Sequence, residues 1–250
     1  MRPENLATKR QRRRLAAIAA AEGVPVSVFD WSTPVPNMFW EFYDRWVSPS
    51  VVAALQVDLH ERLITALPAG SRLLDVGCGG GQHAVKIVQA RPDLRVVGID
   101  ISTTMVKRSR ALARRADVAD RASFDLGDAR DLHFDSDSFD AVYCAGPLKQ
   151  VLDKSRVLSE CHRVLRPGGT LLAMDVNRGC SYEDVVAFVN RTPLPQPARL
   201  LLKVYFSAYV ARQSIDLDEA RTLWAELPLR NCDGPRRIPD HPAFVMVGMK

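Results

Sequence analysis

The sequence predicts an α/β fold in which a mostly parallel sheet is covered by helices on both faces. Two observations carry this prediction. From residue 68 onward, short runs rich in Val, Ile and Leu alternate with helical segments, the pattern of parallel strands joined by crossover helices. In addition, the glycine-rich stretch LLDVGCGGGQHA at 73–84 stands where the first strand passes into the first helix, a turn at which such sheets bind ligands.

The elements follow from short apolar runs separated by Gly, Pro and Asp. The Pro167-Gly168-Gly169 turn is predicted to end one helix and start the next strand. The predicted strands are 71–77, 94–100, 122–128, 139–145 and 169–176, with a final strand at 242–250. The predicted helices are 82–91, 102–116, 153–166 and 217–227.

Length and composition indicate one soluble, globular domain with additions. The chain has 250 residues, of which 47% are hydrophobic and 25% charged. No uninterrupted apolar run approaches the ~18 residues of a membrane span, and the N-terminus lacks the pattern of a secretory signal. Five cysteines are scattered without a CxxC pair, so neither a metal site nor a disulfide framework is predicted. We therefore expect a cytoplasmic protein.

The net charge of +5 permits a polyanionic partner without requiring one. Much of the excess lies in the basic run KRQRRR at 9–14, which leads into a helix-forming stretch that ends at Gly23 and Pro25. One interpretation is an electrostatic arm for nucleic acid or a membrane surface. The other interpretation is a solvated terminal helix, which is the more common role of charge runs at chain termini.

The glycine-rich loop is compatible with more than one ligand. A nucleoside-triphosphate loop ends in Lys followed by Ser or Thr, whereas Gln82 and His83 follow Gly81, so that class is excluded. A dinucleotide site remains open, because residues 79–84 fit G-x-G-x-x-A and Asp100 lies near the spacing of a ribose-binding acid.

Three features favour a cationic ligand over a dinucleotide. Asp75, two residues before the first glycine, is badly placed for a pyrophosphate but suits a positive charge. Asp128 follows the third strand and adds a second acid at the carboxyl edge of the sheet, where such folds bind ligands. After the fifth strand, the chain continues into a strand-rich segment instead of a second domain.

Four motifs, in this order and spacing, resemble those of the class I S-adenosylmethionine-dependent methyltransferases. They are LLDVGCGGG, VVGIDIS, GDARDLHF and VLSECHRVLRPGGTLL. Within that class the chain is similar to the small-molecule branch related to the ubiquinone-biosynthesis C-methyltransferases. The resemblance covers 50–176 well and 215–250 loosely, and it implies a Rossmann-like, seven-stranded sheet whose last strand is antiparallel.

The resemblance also implies a domain organisation. Residues 1–48 would form a basic arm and an aromatic lid segment. Residues 49–250 would form the methyltransferase domain, with a helical insertion at about 178–215. The expected cofactor is S-adenosyl-L-methionine.

Carried over position by position, the resemblance assigns the cofactor contacts. The backbone around Gly77, Gly79 and Gly81 would hold the methionine end, with Asp75 near its amine. Asp100 would accept both ribose hydroxyls. The adenine and the rest of the pocket would be contacted by Ile101, Asp128, Ala129 and Ala145. Asp is also a common helix cap and turn former, and that alternative stays open for Asp100 and Asp128.

Candidates for a catalytic role are Tyr43, His83 and Lys149. Related sequences often carry a His-His pair after the fourth strand, whereas this chain reads Leu148-Lys149-Gln150-Val151, so an imidazole base is missing there. Positioning alone supplies much of the rate of methyl transfer, so no base is strictly required. Tyr43, in the aromatic stretch MFWEFYDRW, is the preferred candidate; it, His83 and Lys149 are equally compatible with packing or solvated roles.

The acceptor site is expected at the insertion after the fifth strand. Residues 193–212 place a proline-rich hinge before a helix that is apolar on nearly every side. The helix is interpreted either as a lid packed on the domain or as a lid that meets a lipophilic acceptor. Peripheral contact with a membrane is a third interpretation, because Arg199, Lys203 and Arg212 flank the apolar face.

Two other functions share this fold. An RNA or protein methyltransferase would use the basic arm as its electrostatic footprint, although the Asn-Pro-Pro-Tyr motif of many base methylases is replaced here by CAGPLKQ. A non-catalytic adenosylmethionine-binding protein is the second. The motifs favour a small-molecule methyltransferase and leave the acceptor atom and the oligomeric state open.

Overall fold

A seven-stranded sheet forms the centre of the fold in the computed structural model, which describes residues 64–151, 153–207 and 214–250. In chain order the strands are β1 (Arg72–Val76), β2 (Arg95–Asp100), β3 (Ala122–Leu126), β4 (Phe139–Ala145), β5 (Leu165–Val176), β6 (Arg230–Arg237) and β7 (Ala243–Met249). Across the sheet they lie in the order β3-β2-β1-β4-β5-β7-β6. The first five strands are parallel, and β7 is antiparallel to both β5 and β6. The predicted Rossmann-like sheet with an antiparallel last strand is confirmed.

Helices cover both faces of this sheet. In the described residues they are α1 (Gln82–Ala90), α2 (Thr103–Arg115), α3 (Lys154–Val164), α4 (Tyr182–Asn190), α5 (Gln196–Tyr205) and α6 (Leu217–Ala225), with a short 3-10 turn at Leu148–Gln150. The apolar sides of α1 and α2 pack on one face of the sheet, and those of α3 and α6 pack on the other.

The central strands are apolar along their whole length because both of their faces are buried. In β1, Leu73 lies in the core on the side of α1, while Leu74 and Val76 lie in the core on the side of α3. All three side chains are fully buried. Asp75, between Leu74 and Val76, is therefore an ionisable residue inside a buried strand.

The start of β5 differs from the prediction. The Pro167-Gly168-Gly169 turn was expected to precede the strand, but β5 begins at Leu165, directly after α3. Leu165 pairs with Phe139 on β4, and the next pair joins Thr170 to Ala141. The predicted turn is thus a bulge within the strand, at which Gly168 takes a positive φ of 79°.

Strand β6 was not predicted. Its sequence, RNCDGPRR, contains Asn, Asp, Gly and Pro, which are depleted in strands. It is an edge strand with only β7 as neighbour, most of its residues are at least partly exposed, and its register shifts twice. Pro is tolerated at such an edge because its missing N–H interrupts no inner ladder.

The segment between β5 and α6 contains α4 and α5, which form a small apolar cluster of their own around Phe188, Leu202 and Phe206. The stretch that contains α5 was predicted to be a helix that is apolar on nearly every side and serves as a lid. In the structure Leu202 is buried, whereas Leu200 and Leu201 are 62% and 72% exposed. The division into an arm at 1–48 and a domain at 49–250 stays a prediction, since the arm lies outside the described residues.

His241 lies under this cluster, in the loop between β6 and β7. It is 5% exposed, and its ring packs edge-on against that of Phe188 at 4.7 Å. Neither ring nitrogen has a hydrogen-bond partner among the described residues. The pKa of His241 is lowered to about 4, mainly by burial and in part by the charge of Arg191, while the charge of Asp184 opposes the shift. His241 is therefore neutral in the folded protein near pH 7.

We expect the folded protein to lose stability between pH 7 and pH 5, in part because of His241. In the unfolded chain an imidazole of ordinary pKa takes up a proton over this interval, while folded His241 does not. The free energy of unfolding attributable to His241 should fall by roughly 1–2 kcal/mol. Urea titrations of His241→Leu should show a correspondingly smaller loss.

His83 and Asp75 also titrate in or near this range, so the variant must be compared with the parent at both pH values. Replacing the exposed His133 by Leu serves as the matched control and should keep the parent's pH dependence. An unchanged dependence in His241→Leu would contradict the assignment.

Candidate cofactor site

The glycine-rich loop joins β1 to α1 at the carboxyl edge of the sheet. The strand order changes direction there, because β2 and β3 lie on one side of β1 while β4 and β5 lie on the other. Parallel sheets bind ligands in the crevice that opens at this point. The loop, the end of β2 and the end of β4 therefore form the walls of the candidate site.

Three glycines of the loop have positive φ values, but for different reasons. Gly77, Gly79 and Gly81 have φ of 74°, 52° and 80°. A Cβ on Gly77 would lie 2.8 Å from the Pro147 side chain, and one on Gly81 would lie 2.6 Å from the Cβ of Ser109. A Cβ on Gly79 would meet no described atom within 4 Å. Gly77 and Gly81 thus permit close packing within the fold, while Gly79 exposes bare backbone to open space.

The amides of Gly77, Cys78, Gly79 and Gly81 donate hydrogen bonds within the protein. The N–H groups of Gly77 and Cys78 both donate to the carbonyl oxygen of Ile99, at 2.9 Å each, and that of Gly81 donates to the Cys78 carbonyl. The Gly79 N–H donates to Oδ2 of Asp100 at 3.0 Å. A phosphate loop instead aims its amides at the anion. This arrangement does not suit a pyrophosphate.

Asp100 is held at the end of β2 by two backbone amides. Besides the Gly79 amide on Oδ2, the Ser102 N–H donates to Oδ1 at 2.8 Å. Ser102 in turn caps α2, its hydroxyl accepting from the Met105 N–H. Each carboxylate oxygen has a second lone pair, so the fixed carboxylate can still accept hydrogen bonds from a pair of hydroxyls. Ile101, predicted to pack on adenine, follows it and is partly exposed.

Asp75 is a buried carboxylate beneath the loop. It is 2% exposed, and its Oδ2 has no hydrogen-bond partner among the described residues. Burial raises the pKa of Asp75 to about 7, and the charge of Asp100 adds to the shift. A buried acid without a partner is stabilised in its charged form by a nearby cation. The predicted contact of Asp75 with an amine stays a prediction, with which the buried Oδ2 is compatible.

Asp128 follows β3 and is held by a neighbour that the sequence analysis did not weigh. Its Oδ1 accepts from the backbone N–H and Nε of Arg130, and its Oδ2 accepts from Nη2 at 3.0 Å. The preceding Gly127 donates to the Asp100 carbonyl, which places Asp128 beside the end of β2. Its predicted contact with adenine would use carboxylate lone pairs of Asp128 that do not accept from Arg130. Ala129, next along the chain, is partly buried.

Lys149 lies after β4 and is anchored by two acceptors. Its Nζ donates to the Gly146 carbonyl at 2.7 Å and to Oδ1 of Asp175 at 3.3 Å. The Asp175 side chain is fully buried, and its Oδ2 accepts from the Lys149 backbone N–H. Ala145 ends β4 just before this turn. The Lys149 ammonium is thus a fixed, partly exposed cation near the glycine loop, which touches the same turn at Pro147.

His83 is the second residue of α1, and its ring lies 5.3 Å from that of Tyr143 on β4. The pKa of His83 is lowered to about 4, mainly by burial and in part by the charge of Lys86. The imidazole is consequently neutral at physiological pH. Tyr43, the third catalytic candidate, lies outside the described residues, so the structure gives it no position.

Sequence reasoning missed two side chains at this edge, Tyr143 and Asp175. Both lie inside predicted strands, in the stretches FDAVYCA and LLAMDV. A polar or ionisable residue within an otherwise apolar strand is the signal that could have found them.

The described residues contain no helix long and apolar enough to cross a membrane. They also contain no group of three His, Cys, Asp or Glu side chains placed to hold a metal ion.

Comparison with known proteins places this geometry in context. Residues 74–173 match the family model described as a methyltransferase domain. The chain is similar to the 27-O-demethylrifamycin SV methyltransferase of Amycolatopsis mediterranei, with 43% identity over 119 residues, covering 47% of this chain and 43% of that protein. It is 34% identical over 186 residues to the methyltransferase GfsG of Streptomyces halstedii, covering 71% and 66%.

A third relative is the ubiquinone/menaquinone biosynthesis C-methyltransferase UbiE of Geobacter sulfurreducens, with 33% identity over 129 residues and 50% coverage of each chain. The match therefore spans 43–66% of the length of these three relatives.

Solved structures share the fold at low sequence identity. A SAM-dependent methyltransferase from Aquifex aeolicus superposes with a TM-score of 0.58 at 15% identity, covering 78% of this chain and 88% of that one. A proposed S-adenosyl-L-methionine-dependent methyltransferase from Methanococcus maripaludis gives 0.64 at 13% identity, covering 86% and 91%.

Replacing Gly79 and Gly81 separately should have opposite effects on binding and stability. Gly79→Ala places a methyl group in the open space above the loop, so we expect the affinity for adenosylmethionine to fall at least about tenfold with a cost of only ~1 kcal/mol in stability. Gly81→Ala places its methyl against Ser109 and should lower the thermal unfolding midpoint by several degrees. Calorimetric titration and thermal melts measure the two effects, and intact binding by Gly79→Ala would contradict the assignment.

The affinity for adenosylmethionine should rise with pH as Asp75 ionises. With a pKa of about 7 in the free protein, Asp75 is mostly neutral at pH 6 and mostly charged at pH 7.5, and only the charged form attracts an ammonium. We expect a roughly five- to tenfold gain in affinity over this interval. Asp75→Asn should bind weakly and show little dependence on pH.

A ligand control isolates the ammonium contact. 5′-Methylthioadenosine has the adenosine and the sulfur but no amino-acid end, so its affinity should change little between pH 6 and pH 7.5. An equal pH dependence for both ligands would assign the effect to another group.

Proposed function

Residues 74–173 belong to the methyltransferase domain of class I S-adenosylmethionine-dependent enzymes, and from this membership we propose that the chain methylates a small, lipophilic or aromatic acceptor. The observation that carries the proposal is the unpartnered, buried carboxylate oxygen of Asp75 beneath the loop that exposes bare backbone at Gly79. This combination suits the cationic amino-acid end of S-adenosylmethionine and not a phosphate.

The proposed cofactor contacts follow the edge of the sheet from β1 outward. Asp75 and the loop backbone at Gly77, Gly79 and Gly81 would hold the amino-acid end. Asp100, already fixed by two amides, would accept from the ribose hydroxyls. The remaining contacts would come from Ile101, Asp128, Ala129 and Ala145.

The bound cofactor supplies a methyl group that its sulfonium charge activates. In the proposed transfer, a lone pair of the acceptor forms a bond to the methyl carbon as the carbon–sulfur bond breaks, and the electrons of that bond pass to sulfur. A hydroxyl acceptor releases its proton to solvent. The chain contributes by holding the two reactants in line, which supplies much of the rate without a dedicated base.

Lys149 is the described residue best placed to act on the acceptor. Its ammonium is fixed by Gly146 and Asp175, and its side chain remains 22% exposed at the turn that also contacts the glycine loop. A cation in this position stabilises an oxygen nucleophile in its anionic form. Neutral His83 is the alternative as a proton acceptor, and Tyr43 stays a candidate from the sequence alone.

The names of the relatives support a small acceptor. They include a 27-O-demethylrifamycin SV methyltransferase, a demethylmenaquinone methyltransferase and an O-methyltransferase, resE, of Aspergillus sclerotiorum. We propose that the acceptor enters beside α4 and α5, where Leu200, Leu201 and Val204 present apolar surface. The same surface would serve in the peripheral membrane contact that the sequence suggested.

A transfer assay tests this function. The purified protein should bind adenosylmethionine and adenosylhomocysteine, with no comparable affinity for NAD or ATP. Methyl-labelled cofactor should then be incubated with a panel of phenols, naphthols and quinols, and with RNA as the comparison. Tight NAD binding without adenosylmethionine binding would overturn the proposal, and salt-dependent labelling of RNA would favour the nucleic-acid alternative.

Lys149→Met should lower transfer to a hydroxyl acceptor by roughly tenfold or more, since it removes a charged hydrogen-bond donor worth about 1.5–3 kcal/mol. The affinity for adenosylmethionine should stay within about threefold, under ~0.7 kcal/mol. Lys149→Arg keeps the charge and should retain part of the activity. Equal rates in all three proteins would remove Lys149 from the acceptor site.

A further inference from the structure

Tyr143 lies directly beside Asp75 in the sheet. The two residues are paired in the parallel register of β1 and β4, so their side chains project from the same face of neighbouring strands about 4.8 Å apart. Both side chains are buried, Asp75 at 2% and Tyr143 at 0% exposure. The Tyr143 hydroxyl and Oδ2 of Asp75 each lack a hydrogen-bond partner among the described residues.

Two paired residues that each have a buried polar atom without a partner are unusual in a packed core. Buried hydroxyls are nearly always hydrogen-bonded, because an unpaired one loses its contacts with water and gains nothing in return. Phe has almost the shape of Tyr and would fill the same space without this cost. The hydroxyl of Tyr143 is therefore better explained by a ligand than by packing.

The surroundings of the pair favour a cationic ligand. Asp75 supplies the negative charge, and Asp100 lies close enough to raise the pKa of Asp75. The ring of His83 packs against Tyr143 and is neutral at physiological pH because its pKa is lowered to about 4. The Tyr143 phenol also remains neutral, since burial raises its pKa well above the ordinary value. A neutral phenol oxygen beside a carboxylate can accept an N–H from an ammonium group.

We propose that the Tyr143 hydroxyl and Oδ2 of Asp75 bind the ammonium group of the cofactor's amino-acid end together. This inference rests on the proposed use of S-adenosylmethionine and adds a binding residue that lies outside the glycine loop. Two of the three N–H donors of the ammonium point to the carboxylate and to the phenol oxygen. Tyr143 then connects two strands through the ligand. One is β1, which leads to the cofactor loop, and the other is β4, which leads to Lys149 and the proposed acceptor side.

Tyr143→Phe tests the proposal because it removes only the hydroxyl. The variant should unfold at the same temperature as the parent or slightly higher, since a buried polar atom without a partner is lost. Its affinity for adenosylmethionine and adenosylhomocysteine should fall roughly tenfold. Its affinity for 5′-methylthioadenosine, which has no ammonium group, should change less than about twofold. A purely structural role would change all three affinities alike.

Two controls complete the experiment. Cys144→Ala alters the next residue of β4, also fully buried but in the core on the opposite face of the sheet, and should leave all three affinities near those of the parent. The double variant of Asp75→Asn with Tyr143→Phe should bind adenosylmethionine little worse than Asp75→Asn alone, because both residues contact one group.

Three outcomes are decisive. Unchanged adenosylmethionine affinity in Tyr143→Phe, parallel loss for 5′-methylthioadenosine, or fully additive losses in the double variant would each overturn the role of Tyr143. The absence of adenosylmethionine binding by the parent protein would instead refute the proposed function. Titration of the parent protein with adenosylmethionine therefore distinguishes failure of the Tyr143 proposal from failure of the proposed function.

Discussion

The candidate site depends on how the loop after β1 is tied to the end of β2. The carbonyl of Ile99 accepts from two consecutive loop amides, and the carboxylate of Asp100 accepts from the third. These bonds use the N–H groups of Gly77, Cys78 and Gly79 inside the protein, so these three amides are not aimed outward at an anion. The same bonds fix Asp100 at the carboxyl edge of the sheet, where it would accept hydrogen bonds from a ribose. One small set of hydrogen bonds thus selects the kind of ligand and positions one of its main contacts.

The two halves of the edge are built differently. On the side of β1 and β2, positive-φ glycines and backbone amides that donate to the end of β2 hold the geometry. On the side of β4 and β5, the polar groups are held by a side-chain contact, that between Lys149 and Asp175. Beyond them, α4 and α5 pack largely on each other and leave Leu200 and Leu201 exposed. A cofactor shared by a large family suits the first arrangement, and an acceptor that varies between relatives suits the second.

The sequence predicted the features that arise from local patterns. Buried parallel strands read as continuous apolar runs, and β4 was located to the residue for that reason. The positions of Gly79 and Asp100 followed from motif spacing, and the structure brings them into contact. Features that depend on a side-chain rotamer or on pairing across the sheet were missed. Strand β6 exists because β7 offers an open edge, despite its turn-forming residues. The hydrogen bonds of Arg130 to Asp128 depend on a side-chain rotamer, and the pairing of Tyr143 with Asp75 depends on the strand register. Sequence periodicity reveals neither.

The composition of β6 also bears on how the molecule behaves at high concentration. An outer strand with regular, unpaired N–H and C=O groups can add a strand from another molecule and so start aggregation. β6 interrupts that row with Pro235, which has no N–H to offer, and with two shifts of register. Arg230 adds a positive charge that repels an identical edge, while Arg236 and Arg237 are paired with Asp233 and Asp184. Residues that make β6 a poor strand by propensity therefore protect this side of the sheet from self-association.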